Sequence, residues 1–129
     1  MVRNNRFLVD TNVFIWWMEK KKPLGKDISH IISDPNNYIF LSLASIWEMS
    51  IKEKIKKLKL PKDWKKDIQS GTFEILPISI DHIFGLDYLP LLHKDPFDRI
   101  LVAQANIEGL TLITSDPKIW KYNVPLIKA

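Results

Sequence analysis

Asp10 closes the apolar run Phe7-Leu8-Val9, and Asp116 follows Leu112-Ile113-Thr114-Ser115. A short run of large and β-branched apolar residues between helical patterns reads as a buried strand of a parallel sheet. In open α/β sheets, ligands bind in the crevice outside the carboxyl ends of the strands. Asp10 and Asp116 are therefore expected on one rim of one sheet, a pairing that suits a divalent cation. Mg²⁺ and Mn²⁺ prefer carboxylates and retained water. Several converging carboxylates are the minimum hardware for metal-assisted phosphodiester hydrolysis, and their mutual repulsion makes sense only with a cation present.

Two further acids are candidates. Glu48 interrupts Ala44-Ser45-Ile46-Trp47-Glu48-Met49, about two turns into a helix that follows a strand. Its side chain can reach back towards the rim or pair with Lys52 at i+4. Asp98 falls in the first turn of a helix opened by Asp95-Pro96, where the macrodipole alone favours an acid. Capping competes with function at several of these positions. Asp95 before Pro96 reads first as an N-cap with proline at the first helical position, and Asp116-Pro117 has the same signature. Asp10 could also cap, but Thr11 and Asn12 can fill that role. Arg99 could bind phosphate or pair with an acid. His93 is the histidine nearest the site, there either to touch substrate or to pack its loop; His30, His82 and His93 share no metal-like spacing.

The elements that would position these residues alternate. Strands are expected at 6–10, 38–41, 73–76, 110–114 and 124–127. Helices are expected over 12–19, 25–33, from a Ser42 cap to about Leu58, over 63–70, from Ser79 or Asp81, and from Asp95 to Glu108 before Gly109. Lys20-Lys21-Lys22-Pro23 reads as a solvated run after the first helix. The third helix should turn Ile46, Trp47, Ile51, Ile55 and Leu58 inward. Its lysine face, Lys52 to Lys59, either tracks a nucleic-acid backbone or solubilises the helix. Pro125 has no backbone donor, so the last strand should lie at an edge. Strands alternating with helices give an α/β domain with a mainly parallel sheet of four to five strands.

The 129 residues fit one domain, 1–129, with a core of its own. No cysteine is present, which excludes disulfides and thiolate metal sites and is compatible with a reducing cytoplasm. No secretory signal pattern and no span of about 20 apolar residues is found, so no membrane is expected. Lys and Arg total 19 against 15 acids; with four acids set aside for a metal, 19 basic groups face 11. That balance favours an anionic partner such as nucleic acid, with a plain basic soluble protein as the alternative.

The order of the acids is more specific than any one of them. Taken with Phe7-Leu8-Val9-Asp10-Thr11-Asn12, Ser45-Ile46-Trp47-Glu48, the ungapped block His93 to Ala105, and Thr114-Ser115-Asp116, the chain resembles the PIN-domain ribonucleases. The likeness is greatest to the VapC-type toxins of toxin–antitoxin modules. The resemblance implies a three-layer α/β/α sandwich, a Mg²⁺- or Mn²⁺-dependent endoribonuclease, small dimers, and inhibition by a cognate antitoxin protein. It places the metal-binding acids at Asp10, Glu48, Asp98 and Asp116, with Asn12, Thr114 and Ser115 as supporting polar residues. Many relatives have histidine at the position of Asn12. No suitably supported Ser or Cys nucleophile is apparent, so water is the expected attacking group. The rival readings are a non-catalytic RNA- or protein-binding module on the same fold and a nuclease acting on structured DNA. A phosphatase of the Asp-x-Asp type is disfavoured because Asp10-Thr11-Asn12 lacks the second aspartate.

Overall fold

The computed structural model describes residues 5–20 and 24–129; Lys21, Lys22 and Pro23 of the expected lysine run lie outside them. The elements in chain order are β1 (Arg6–Val9), α1 (Thr11–Glu19), α2 (Lys26–Ser33), β2 (Tyr38–Ser42), α3 (Leu43–Lys54), α4 (Trp64–Gln69), β3 (Glu74–Leu76), α5 (Ile80–Gly85), α6 (Pro96–Glu108), β4 (Thr111–Thr114) and β5 (Leu126–Lys128). The five strands form one sheet in the order β3-β2-β1-β4-β5, and every pairing is parallel.

Alternate residues of β1 feed opposite layers. Phe7 and Val9 join Val13, Phe14, Ile32 and Trp64 in one core, whereas Leu8 joins Leu101, Val102 and Ile119 in the other. Burial on both faces is why the strand reads as an unbroken apolar run. The result is the three-layer α/β/α sandwich.

Local signals set the ends of α6. The Asp95 carboxylate accepts from the Phe97 and Asp98 amides at 2.8 and 3.3 Å, and Pro96 takes the first helical position. Gly109, at φ +69°, closes the helix in the left-handed region that a side chain disfavours. A Cβ at Gly85 would lie 2.7 Å from the Ile107 Cδ1, so glycine there lets α5 sit on α6 without displacing the end of that side chain.

Two sequence expectations need correction. The third helix stops at Lys54, and Lys56 takes φ +60°, so Leu58 lies beyond it. Its buried face is Ala44, Ser45, Glu48 and Met49; Ile46 and, beyond the helix, Leu58 pack on the core as expected, while Trp47, Ile51 and Ile55 are exposed. Small residues let this helix sit close to its neighbours, and the inward place expected for large apolar side chains goes to a carboxylate. The last strand begins at Leu126 rather than Val124; Pro125 precedes it and accepts the Leu112 N–H through its carbonyl at 2.9 Å. As expected for that proline, β5 is an edge strand. Among the described residues no helix is long and apolar enough to cross a membrane.

Candidate functional site

The register of the central pair builds the strand-borne half of the site. Val9 pairs with Ile113, and the Asp10 N–H donates to the Ile113 carbonyl at 3.0 Å. Asp10 is thereby set beside Thr114 and Ser115. Its carboxylate accepts from the Val13 N–H at 2.7 Å, which caps α1, and from the Ser115 N–H at 3.1 Å. The Thr114 hydroxyl also donates to it and accepts the Asp116 N–H at 3.1 Å. Burial pushes the Asp10 carboxyl upward, opposed by these hydrogen bonds, with the charge of Asp116 adding to the rise. The cap and the functional reading of Asp10 are therefore compatible: one oxygen caps the helix, and the other ties β1 to the end of β4.

The helix-borne half is held by side chains. Glu48, buried on α3, accepts from the Thr11 hydroxyl at 2.7 Å and from the Lys52 ammonium at 2.6 Å. Ser45 lies 3.0 Å from the same Thr11 hydroxyl. Lys52 is raised above its ordinary value by the hydrogen bond to Glu48, with Asp95 and Asp98 adding attraction. Glu48 pairs with Lys52 yet is buried against Thr11, the residue after Asp10, and is not an exposed helix glutamate.

Asp98 is pushed up to about 7. Burial is the largest cause, then the charges of Asp95 and Glu48, with Asp116 also contributing; His93 pulls the other way. The His93 Nε2 lies 2.9 Å from Asp98 Oδ2 and 2.9 Å from Asp116 Oδ2. Its Nδ1 accepts the Asp95 N–H at 3.3 Å, so the ring proton belongs on Nε2, aimed at the two carboxylates. The Tyr122 hydroxyl accepts the His93 N–H at 3.0 Å and fixes the loop that presents the ring.

One imidazole proton shared by two carboxylates marks a place where positive charge is wanted. His93, Asp98 and Asp116 each offer one ligand atom, and these atoms lie within 4.8 Å of one another. The two hard carboxylates fit a divalent cation, and with its proton on Nε2 His93 stands beside that site as a hydrogen-bond donor and not as a ligand. Asp10 and Glu48 adjoin that trio electrostatically, through Asp116 and Asp98 respectively.

Four other expected residues fall as follows. Asp95 caps α6, as its sequence context favoured, while its charge still acts on Asp98. Ser115 contributes its backbone N–H. Asn12 is exposed on α1. Arg99 turns away from the acids: its guanidinium donates to the carbonyls of Leu86 and Leu89 at 3.4 and 3.2 Å. Sequence reasoning passed over Thr11 except as a spare cap. Its signal was the coincidence of a hydroxyl directly after the strand-ending acid with Ser45 and Glu48 one turn apart on the facing helix.

The site is an open rim. A groove of about 850 Å³ between α1, α2 and α4 is lined by Trp17, Met18 and Leu24 among others, and by none of the clustered acids.

A parallel sheet with acids from two strand ends, one helix start and one mid-helix position defines an α/β protein with an acidic rim. Residues 7–124 match the PIN domain, and the chain belongs to that family, whose toxin members are nucleases. Solved structures share the fold. Across 95% of this chain and 98% of its own, VapBC2 from Rickettsia felis, bound to a DNA fragment from its promoter, aligns at TM-score 0.71 and 21% identity. A toxin–antitoxin complex from Klebsiella pneumoniae gives TM-score 0.66 and 24% identity over 95% and 96% of the two chains. FitAcB from Neisseria gonorrhoeae gives TM-score 0.66 and 17% identity over the same shares. No curated protein sequence matches the chain.

Proposed function

We propose that this protein is a Mg²⁺- or Mn²⁺-dependent endoribonuclease, the VapC-type toxin of a toxin–antitoxin pair, working in the cytoplasm as a homodimer. The observation that supports it best is the His93 Nε2 held between Asp98 and Asp116, with Asp98 raised to about 7. A fold that buries this much like charge without neutralising it is prepared for a cation. The toxin reading draws on the family and on the toxin–antitoxin complexes that share the fold.

Asp98 and Asp116 would hold the metal with His93 beside them, and Asp10 would back the trio from β1. The chemistry a divalent cation supplies at such a site is charge neutralisation at a phosphodiester and a more acidic water. Glu48, fixed by Thr11 and Lys52, would orient an attacking water and accept its proton on a carboxylate oxygen. Lys52, next to the acids yet part-exposed, is the chain's own cation for a substrate phosphate. Asn12, exposed on α1, is a supporting polar residue of the rim, and Thr114 keeps Asp10 and Asp116 in register.

Incubation of the parent, Asp10→Asn and Asp98→Asn with RNA and with DNA of matched sequence, with and without Mn²⁺, tests this. Each substitution should slow RNA cleavage on the order of 10²-fold or more. Variants that cleave as fast as the parent would end the proposal. Cleavage of the DNA alone would transfer it to a structure-specific DNA nuclease, and metal without effect on Tm or on any nucleic acid would favour a binding module.

A further inference from the structure

The positive charge of this chain is concentrated in one place. Residues 52–67 hold eight lysines and three acids, a balance of +5 in a chain whose total is +4. The remaining residues, 11 basic against 12 acidic, carry −1. A lysine surface kept for solubility alone would be spread and interleaved with acids. Here the whole net charge lies on the end of α3, the turn after it, and α4.

The lysines are also unneutralised. Lys54, Lys56, Lys57, Lys59, Lys62 and Lys66 are exposed, and among the described residues none has a carboxylate at ion-pair distance. Glu53, the nearest acid in sequence, accepts instead from the Trp64 indole N–H at 3.0 Å. That bond also fixes the segment. Trp64 and Leu60 are buried in the core, and the amides of Lys57 and Leu58 both donate to the Lys52 carbonyl at 2.9 and 3.2 Å. The charges are thus presented on an anchored ridge instead of a loose linker. The ridge begins at the acid site, because Lys52, its first member, is bonded to Glu48. From Glu48 to Lys54 the helix advances only about 9 Å.

We infer that the ridge formed by residues 52–66 is a phosphate-tracking surface that carries the flank of a single-stranded RNA away from the acid site. It rests on the reading above that RNA is the substrate. The acid cluster repels a polyanion, so a strand cleaved there needs compensating attraction nearby, and the ridge supplies it along one direction. Contacts to phosphate fix register without reading bases, so this surface sets affinity and not sequence preference.

The test uses the full chain carrying Asp10→Asn, to prevent cleavage, and a fluorescent RNA of about 20 nucleotides read by anisotropy over a salt series. Lys54→Gln/Lys57→Gln/Lys59→Gln is compared with Lys26→Gln/Lys121→Gln/Lys128→Gln, which removes the same charge elsewhere. Each lost phosphate contact lowers the slope of log K against log salt by about 0.7 for a single strand. The ridge triple should therefore lose about 2 from the slope and bind on the order of a hundredfold more weakly at 0.1 M salt, while the control triple matches its Asp10→Asn background. A four-nucleotide RNA, too short to span site and ridge, should bind both triples equally. Equal loss in the two triples, or loss on the short RNA as well, overturns the inference. So does poly-glutamate that displaces the long RNA as well as unlabelled RNA does, since the ridge would then serve an acidic polypeptide. Cleavage of RNA by the parent together with ridge-independent binding overturns this inference alone. Ridge-dependent binding with no cleavage of any RNA leaves it standing and removes the proposed function.

Discussion

Asp10 and Asp98 are acids on the same rim, and both are raised above the ordinary carboxylate value with burial as the main cause. Their surroundings differ. Asp10 sits at a strand end, where two backbone N–H groups and the Thr114 hydroxyl point at it. These dipoles are fixed by the sheet register and the start of α1. Asp98 sits in the first turn of α6, where Asp95, Glu48 and Asp116 all raise it and the His93 imidazole and the Lys52 ammonium oppose them. The strand-borne half of the site is therefore stabilised by the fold itself. The helix-borne half is stabilised by side chains, and incompletely. A cation brings most to the helix-borne half, whereas the strand-borne half supplies the rigid reference against which it is positioned.

The largest break in this comparison comes from deleting each carboxylate in protein stripped of divalent metal. Asp10→Ala leaves the Val13 and Ser115 amides and the Thr114 hydroxyl without their acceptor, at about 1–3 kcal/mol for each buried group left unpaired. Relief of the buried charge offsets part of that, so a net loss of about 2 kcal/mol is expected. Asp98→Asn removes a repelled charge and keeps the shape, so it should stabilise by on the order of 2 kcal/mol at pH 8. Urea unfolding of the two variants beside the parent measures both. The comparison is wrong if the two shifts have the same sign.

The second test uses pH. The Asp98 carboxyl titrates near 7 in the folded chain against an ordinary value of 3.8. Between those values the folded state holds a proton that the unfolded state has released, so stability falls as pH rises through the window. The contribution is complete below about pH 4 and gone above about pH 8. Metal-free parent should lose on the order of 2 kcal/mol between pH 5 and pH 8 through this group. Asp98→Asn should remove that slope, and saturating Mn²⁺ should flatten it in the parent by keeping the carboxylate ionised and compensated. A slope unchanged in Asp98→Asn would assign the pH dependence to other groups.

The two halves also differ in how well the sequence displays them. The strand-borne half is legible because a parallel strand buried on both faces is an unbroken apolar run, and the residue after it must stand on the rim. Asp10, Thr114, Ser115 and Asp116 follow from that rule. The order of the strands is not written in any local pattern, and the register that places Asp10 beside Thr114 emerges only when β1 and β4 pair. The helix-borne half is harder to read because helical periodicity does not say which stripe faces in. On α3 the large apolar residues Trp47, Ile51 and Ile55 suggested one face, and the structure buries Ala44, Ser45, Glu48 and Met49. A carboxylate turned inward contradicts the hydrophobic rule, which is why Glu48 remained open to both readings until Thr11 and Lys52 were seen around it. His93 carried no metal-like spacing with the other histidines, because from its loop it meets an acid of the next helix and an acid beyond a distant strand. Arg99 had the right neighbours in sequence, yet the helix turns its guanidinium towards the carbonyls of Leu86 and Leu89.

The smallest effect concerns Thr11, which joins the halves beside Asp10 as His93 does between Asp98 and Asp116. It belongs to the first turn of α1, next to Asp10, and its hydroxyl reaches Glu48 and Ser45 on α3. Thr11→Val keeps the shape and removes the hydroxyl, leaving one Glu48 oxygen without its donor. A loss of about 1 kcal/mol in stability is expected, below the shifts for Asp10 and Asp98 because Lys52 still compensates the carboxylate. Cleavage should fall about 10-fold or somewhat more, the usual cost of losing a group that orients a residue at a metal site. Thr11→Ser should restore it. Mn²⁺ affinity measured by titration without RNA should change little, since Thr11 touches neither His93, Asp98 nor Asp116. Should Mn²⁺ binding collapse in Thr11→Val while Thr11→Ser stays normal, Glu48 would itself be a metal ligand, and the boundary between a backbone-fixed half and a side-chain-fixed half would have to move.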